Sequence, residues 1–204
     1  MSRIKLCGLK IERDIMTANE LSPDYIGFVF AEKSRRYVTP DRARKLRRLL
    51  DGSISAVGVF VNEKPETVAE LLESGVIDLA QLHGDEDEDY IARLRELTDK
   101  PVIKAFRIGG IDDILDAENS TADLVLLDNG EGGTGETFDW EYARAVKRPY
   151  ILAGGLGLHN IKDAVETLRP FGVDVSSGIE TEGLKDPGKM KKFVGIIRDA
   201  CRKE

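Results

Sequence analysis

Short apolar runs rich in β-branched residues recur along this chain between stretches whose apolar positions fall three and four residues apart. A period of two marks a pleated strand and a period of 3.6 a helix, so the two patterns give the expected elements. Strands are predicted near Ile4 to Cys7, Tyr25 to Phe30, Ala56 to Val61, Leu79 to Leu82, Val102 to Phe106, Leu124 to Leu127, Tyr150 to Ala153 and Val173 to Val175. Amphipathic helices are predicted over Asp41 to Leu50, Pro65 to Glu73, Asp89 to Leu97, Asn160 to Leu168 and Pro187 to Ala200, with shorter ones at Ile111 to Ala117 and Trp140 to Ala145.

Eight strand-helix units in 204 residues leave about 25 residues per unit, close to the lower limit for a parallel (β/α)8 barrel. A doubly wound open sheet fits the same alternation. The polar residues at the strand ends favour closure. Cys7, Arg36, Gln81, His83, Asp128, Gly154, Gly155, Ser176 and Ser177 all fall at or just after a predicted strand, spread over six of the eight units. An open sheet would string them along an edge, whereas a closed barrel gathers them at one mouth. The expected fold is α/β, a single-domain parallel (β/α)8 TIM barrel over residues 1–204.

Composition narrows the partners. The chain is 41% hydrophobic and 33% charged with a formal net charge of -7, which offers no basic face to a nucleic acid. No apolar run reaches the roughly 18 residues of a membrane span, and the N-terminus lacks the apolar core of a signal peptide. A cytoplasmic protein with no membrane or nucleic-acid partner is expected. Cys7 and Cys201 are the only cysteines. Without CxxC or clustered histidines they make neither a disulfide framework nor a zinc site, so Cys7 is expected to be a free thiol.

Two late stretches, ILAGGLGLHN and VDVSSGIE, point to phosphate. A strand ending in consecutive glycines before a helix, and a next strand ending in Ser-Ser-Gly, can bring backbone N-H groups, hydroxyls and helix N-termini onto a dianion. Barrels bind phosphate after strands seven and eight. Any one of Gly154, Gly155 and Gly157 also suits an ordinary tight turn. In LLDNGEGGTGETFDW, Asp128 ends a strand and precedes a loop with Gly130, Gly132, Gly133 and Gly135, which has the freedom to approach a ligand. An aspartate there is a turn residue in many proteins, but at a barrel mouth opposite a thiol it is a candidate general acid or base. Cys7 closes the first strand on that same face, where cationic neighbours or helix termini can lower a thiol from about 8.5.

Arg36 lies in AEKSRRYVTP, placed to grip a carboxylate through two parallel hydrogen bonds. QLHGDE puts Gln81 and His83 after the fourth strand, with His83 a candidate ligand contact. The acidic run Asp85 to Asp89 suits a helix N-terminus better than a metal, because successive acids there point in different directions. His159, Trp140 and Cys201 are expected to be structural.

Taken in order, IKLCGL, YIGFVFAEKSRRYV, VGVFVN, QLHGDE, LLDNGEGGTGETFDW, ILAGGL and VDVSSGIE resemble the phosphoribosylanthranilate isomerase family of tryptophan biosynthesis over essentially the whole chain. No metal is expected from the residues, and the assembly is left open between monomer and homodimer. The resemblance implies a cofactor-free Amadori rearrangement of a small phosphosugar-anthranilate substrate on a (β/α)8 barrel. It implies a catalytic base at Cys7 and acid at Asp128, an anthranilate-contacting Arg36, pocket residues His83 and Asp174 beside Gln81, and phosphate loops at Gly154, Gly155, Ser176, Ser177 and Gly178. After CGL the family pattern has threonine or serine and an Arg-Pro-Glu-Asp-like run, whereas this chain has Lys10, Ile11, Glu12, Arg13 and Asp14. Three other readings remain. A histidine-pathway barrel isomerase would be expected to carry aspartate in place of Cys7. A metal-dependent epimerase would need more than His83 and His159. A non-catalytic phosphosugar-binding barrel would need neither Cys7 nor Asp128.

Overall fold

The computed structural model describes residues 2–128 and 140–202. Among them, eight parallel strands run in chain order: β1 (Arg3–Cys7), β2 (Tyr25–Val29), β3 (Ser55–Phe60), β4 (Leu79–Leu82), β5 (Val102–Arg107), β6 (Leu124–Asp128), β7 (Tyr150–Leu152) and β8 (Gly172–Val175). Each pairs with the next, and β8 returns to β1 through Arg3 with Gly172, Ile4 with Val173, Lys5 with Asp174 and Leu6 with Val175. That seam closes the barrel and removes the open-sheet alternative. The strand bounds lie within two residues of those expected from the pattern.

Period two along the strands sorts side chains between inside and outside. Ile4, Leu6, Ile26, Phe28, Phe60, Leu82, Val125, Leu127 and Val173 face outward into the large core shared with the helices. The alternate positions Val57, Leu79, Ile103, Ala105, Leu126 and Ile151 fill the barrel interior. Above them Cys7, Val29 and Val59 form a small layer under the C-terminal mouth. Burying side chains such as Phe28, Phe60 and Leu6 contributes roughly 1.5–3 kcal/mol apiece before the entropy of ordering them is set against it.

The outer layer consists of α1 (Glu12–Leu21), α2 (Pro40–Arg47), α3 (Pro65–Glu73), α4 (Glu88–Leu97), α5 (Ile111–Asn119), α6 (Trp140–Arg144), α7 (Ile161–Leu168) and α8 (Pro187–Cys201). Start signals are visible at several of them. Proline occupies the first helical position of α2, α3 and α8, where its missing N-H costs nothing. Thr39, Asp87 and Asp186 accept backbone N-H groups of the first turns of α2, α4 and α8, as capping side chains do. Asp87 thus accounts for part of the acidic run at 85–89.

Two features went unforeseen. Helix α1 opens after Ile11, which has no capping oxygen. Asp14 instead reaches back so that its Oδ2 accepts the N-H groups of Lys10 (3.0 Å) and Ile11 (3.2 Å). Between β8 and α8 the chain also makes a two-residue hairpin, β9 (Glu180–Thr181) against β10 (Leu184–Lys185). The turn residues Glu182 and Gly183 both have positive φ, 53° and 76°.

Candidate active site

The strand ends carry the polar residues to one place. A cavity of about 260 Å³ at the C-terminal mouth is lined by Cys7, Arg36, Gln81, His83, Asp128, Gly154, Gly155, Asp174, Ser176 and Ser177, with Val29, Ala31 and Val59 forming an apolar wall. Every residue that the family resemblance placed in the site lines it except Gly178, which packs against Gly157. The glycine-rich loop at 130–135 lies outside the described residues.

Cys7 is buried at the end of β1. Gly27 on β2 makes room for it, since a Cβ there would sit 2.7 Å from Cys7 Sγ. Burial pushes the thiol above its ordinary value; Lys5 and Lys185 favour the thiolate without prevailing, and Asp174 opposes them. The thiol is therefore raised, where the sequence suggested that cationic neighbours would lower it. Lys5 lies two residues before Cys7 on the same face of β1 and is completely buried against Asp174 at 3.1 Å. Burial alone would lower the Lys5 ammonium, but Asp174 and Cys7 together raise it.

Across the mouth, His83 Nε2 lies 2.9 Å from Asp128 Oδ2, and His83 Nδ1 lies 2.8 Å from Gln81 Nε2. An amide nitrogen facing Nδ1 makes that ring atom the acceptor, so the imidazole proton sits on Nε2 and is donated to Asp128. Gln81 Oε1, buried, has no partner among the described residues.

The two glycine-serine loops meet each other directly. Gly154 and Gly155 adopt φ of 76° and 64°, a left-handed pair that favours glycine. Asn160 folds the loop, accepting the N-H of Gly157 at 2.9 Å and donating to the carbonyl of Gly155 at 3.0 Å. Gly178 bridges to Gly157, and a Cβ at Gly178 would run into the carbonyl of Leu156. Ser176 Oγ donates to the carbonyl of Cys7 at 3.2 Å, tying the second loop to the thiol.

Arg36 donates through Nε and Nη2 to the two oxygens of Glu180, at 2.7 and 2.8 Å. The carboxylate it grips here is one of the chain's own. Lys185 Nζ donates to Glu180 Oε1 at 2.6 Å and to the Ser176 carbonyl at 2.9 Å. Burial would raise Glu180, but hydrogen bonds from Arg36 and Lys185 hold it down at about 2.

Lys5, Glu180 and Lys185 were missed from sequence. For Lys5 a signal existed, a cation at an inward position of an otherwise apolar strand. The first-loop residues that depart from the family pattern serve local structure: Asp14 starts α1, and Lys10 Nζ donates to the Arg35 carbonyl at 3.1 Å. Of the residues taken as structural, His159 lies beside Gly157 outside the cavity. Trp140 opens α6 with its Nε1 buried. Cys201 accepts the Ser2 N-H at 3.4 Å, far from the mouth. Among the described residues no group of three or more histidine, cysteine, aspartate or glutamate side chains is placed to hold a metal ion, and no helix is long and apolar enough to cross a membrane.

The model of the N-(5'phosphoribosyl)anthranilate (PRA) isomerase family matches residues 4–195. The chain belongs to the phosphoribosylanthranilate isomerase family. An N-(5'-phosphoribosyl)anthranilate isomerase of Endomicrobium trichonymphae is 46% identical over 202 residues, 97% of this chain and 99% of that protein. The crystal structure of phosphoribosyl anthranilate isomerase from Thermotoga maritima superposes with a TM-score of 0.89 at 36% identity, covering 98% of this chain and 100% of that one. A phosphoribosyl anthranilate isomerase solved in complex with reduced 1-(o-carboxyphenylamino)-1-deoxyribulose 5-phosphate matches with a TM-score of 0.85 at 35% identity, over 98% of this chain and 100% of that one. Membership makes the protein an enzyme and places it among the isomerases of tryptophan biosynthesis, in agreement with the motifs. The non-catalytic barrel falls away, as do the histidine-pathway and metal-dependent alternatives.

Proposed function

We propose that the protein converts N-(5'-phosphoribosyl)anthranilate into 1-(2-carboxyphenylamino)-1-deoxyribulose 5-phosphate, with Asp128 as general acid and Cys7 as general base. The observation that carries this reading is a thiol at the end of β1 and a carboxylate at the end of β6 lining one cavity together with two apposed glycine-serine loops. Gly154, Gly155, Ser176 and Ser177 take the phosphate, with Gly178 holding the two loops together. Arg36 takes the anthranilate carboxylate, and the apolar wall of Val29, Ala31 and Val59 takes the aromatic ring.

Asp128 acts as the acid. His83 Nε2 holds Oδ2 and fixes the carboxyl at the mouth, and the carboxyl proton goes to the ribose ring oxygen. Transfer of that proton breaks the C1–O bond as the anilino nitrogen supplies its electron pair, and the ring opens to a cationic Schiff base. Its positive charge beside Cys7 opposes the burial that holds the thiol protonated, so the thiolate is favoured once the ring has opened. Cys7 then removes the C2 proton, and the enolamine tautomerises to the ketone. Substrate and product are isomers and the steps are proton transfers, so the reaction itself calls for no cofactor. A cytoplasmic location accords with a biosynthetic enzyme of this kind.

The test generates the substrate in situ from anthranilate and phosphoribosyl pyrophosphate with the transferase, and follows loss of anthranilate-type fluorescence. Cys7→Ser and Asp128→Asn should each lower kcat at least about a hundredfold, the scale of a lost general acid or base. A variant with near-normal kcat loses its assigned role.

A further inference from the structure

Arg36 meets Glu180 side-on. The Nε and Nη2 atoms are engaged at 2.7 and 2.8 Å, which leaves the end-on edge, Nη1 with the second proton of Nη2, as a pair of parallel donors of the kind that binds a carboxylate bidentately. Arg36 lines the cavity, and its stem crosses Gly8, where any Cβ would strike Arg36 Cδ. Glu180 itself is pinned from several sides. Lys185 Nζ holds its Oε1, Lys189 Nζ donates to its carbonyl at 2.6 Å, and Arg13 Nη2 donates to the carbonyl of Lys185 at 3.1 Å. The same Lys185 ammonium bonds Ser176 Oγ at 3.3 Å, in the phosphate loop.

We propose that Glu180 is a positioning residue for substrate recognition: it clamps one edge of Arg36 so that the other edge is presented to the aromatic carboxylate, and Lys185 fixes that clamp to the phosphate loop. This deepens the isomerase reading and rests on it. The two ends of the substrate, carboxylate and phosphate, are thereby held at one separation by a chain of contacts running from Arg36 through Glu180 and Lys185 to Ser176. A carboxylate that only neutralised Arg36 would compete with the ligand, and its removal would tighten binding. A clamp predicts the opposite sign.

The test measures calorimetric Kd values for reduced 1-(o-carboxyphenylamino)-1-deoxyribulose 5-phosphate and for its aniline counterpart, which lacks the carboxylate. In Glu180→Gln the first should bind at least about tenfold more weakly and the second should bind as in wild type. In an Arg36→Lys background the same substitution should change neither. Turnover should show KM raised with kcat little changed. Glu180→Asp, which keeps the charge and shortens the reach, carries the same test should the amide variant lose its fold. Equal weakening of both ligands, no weakening, or tighter binding overturns the clamp. Wild-type protein that binds neither ligand would overturn the isomerase reading, and the clamp with it.

Discussion

At the scale of single residues the proposed chemistry turns on how a buried thiol is held. Burial outweighs the two lysines near Cys7 and raises its thiol, which favours the neutral form. An acid whose folded value is raised contributes stability that is fully present below its ordinary value and is lost as pH rises through the raised one. Titrating thiolate absorbance at 240 nm in a Cys201→Ser background should therefore place the Cys7 midpoint above about 8.5. Lys5→Met should move it higher still, because it removes the strongest influence favouring the thiolate. A midpoint in that variant at or below the wild-type one would show that Lys5 does not act on the thiol. Cys7 and Asp128 were legible in the sequence as residues of the mouth because each ends an apolar strand. Lys5 was legible in principle, by counting back two residues, but a cation at an interior position makes sense only once Asp174 is known to sit opposite it on β8.

At the scale of elements, periodicity alone placed the strands, while the misses share one cause. Helix α1 starts with an aspartate reaching backward rather than a capping residue in front, and its buried positions Asp14, Ile15, Thr17 and Ala18 dilute the apolar stripe with polar side chains. The β9–β10 hairpin turns through Glu182-Gly183, whereas the strongest sequence signal for such a turn is Asn-Gly or Asp-Gly. Both elements are also tied in by contacts distant in sequence that no local window contains, Arg13 of α1 to the Lys185 carbonyl and Glu180 of the hairpin to Arg36. The glycine loops stood out in the sequence as candidates for a phosphate site, but their mutual contact did not. Gly178→Ala tests that contact. The added methyl meets a backbone carbonyl that no rotamer change can move aside, so the two loops must separate. Competitive inhibition by inorganic phosphate should weaken about tenfold or more, equivalent to about 1.4 kcal/mol. An unchanged inhibition constant would mean that the loops yield without disturbing the anion site.

For the whole molecule the decisive contact is the seam between the first strand and the last. Residues about 170 apart in sequence must meet there, and the pairing of Lys5 with Asp174 crosses it with both side chains almost wholly out of water. Desolvating two charges costs more than an exposed pair would return, so the geometry makes the pair stabilising only while both partners remain. We infer that closure ties residues 1–204 into one cooperative unit, with single-transition unfolding expected by fluorescence and circular dichroism alike. Asp174→Ala strands a buried ammonium and should lower stability by about 3–5 kcal/mol, with the largest gain in amide exchange along β1 and β8. Replacing both partners by apolar side chains of similar volume, Lys5→Met with Asp174→Leu, should recover most of that loss. The double variant should nevertheless have much lower activity, because Asp174 lines the cavity and Lys5 faces Cys7. Recovery of stability without recovery of turnover would separate what the pair does for the barrel from what it does for the reaction. A single variant as stable as wild type would mean that the seam is closed by backbone pairing and apolar packing alone.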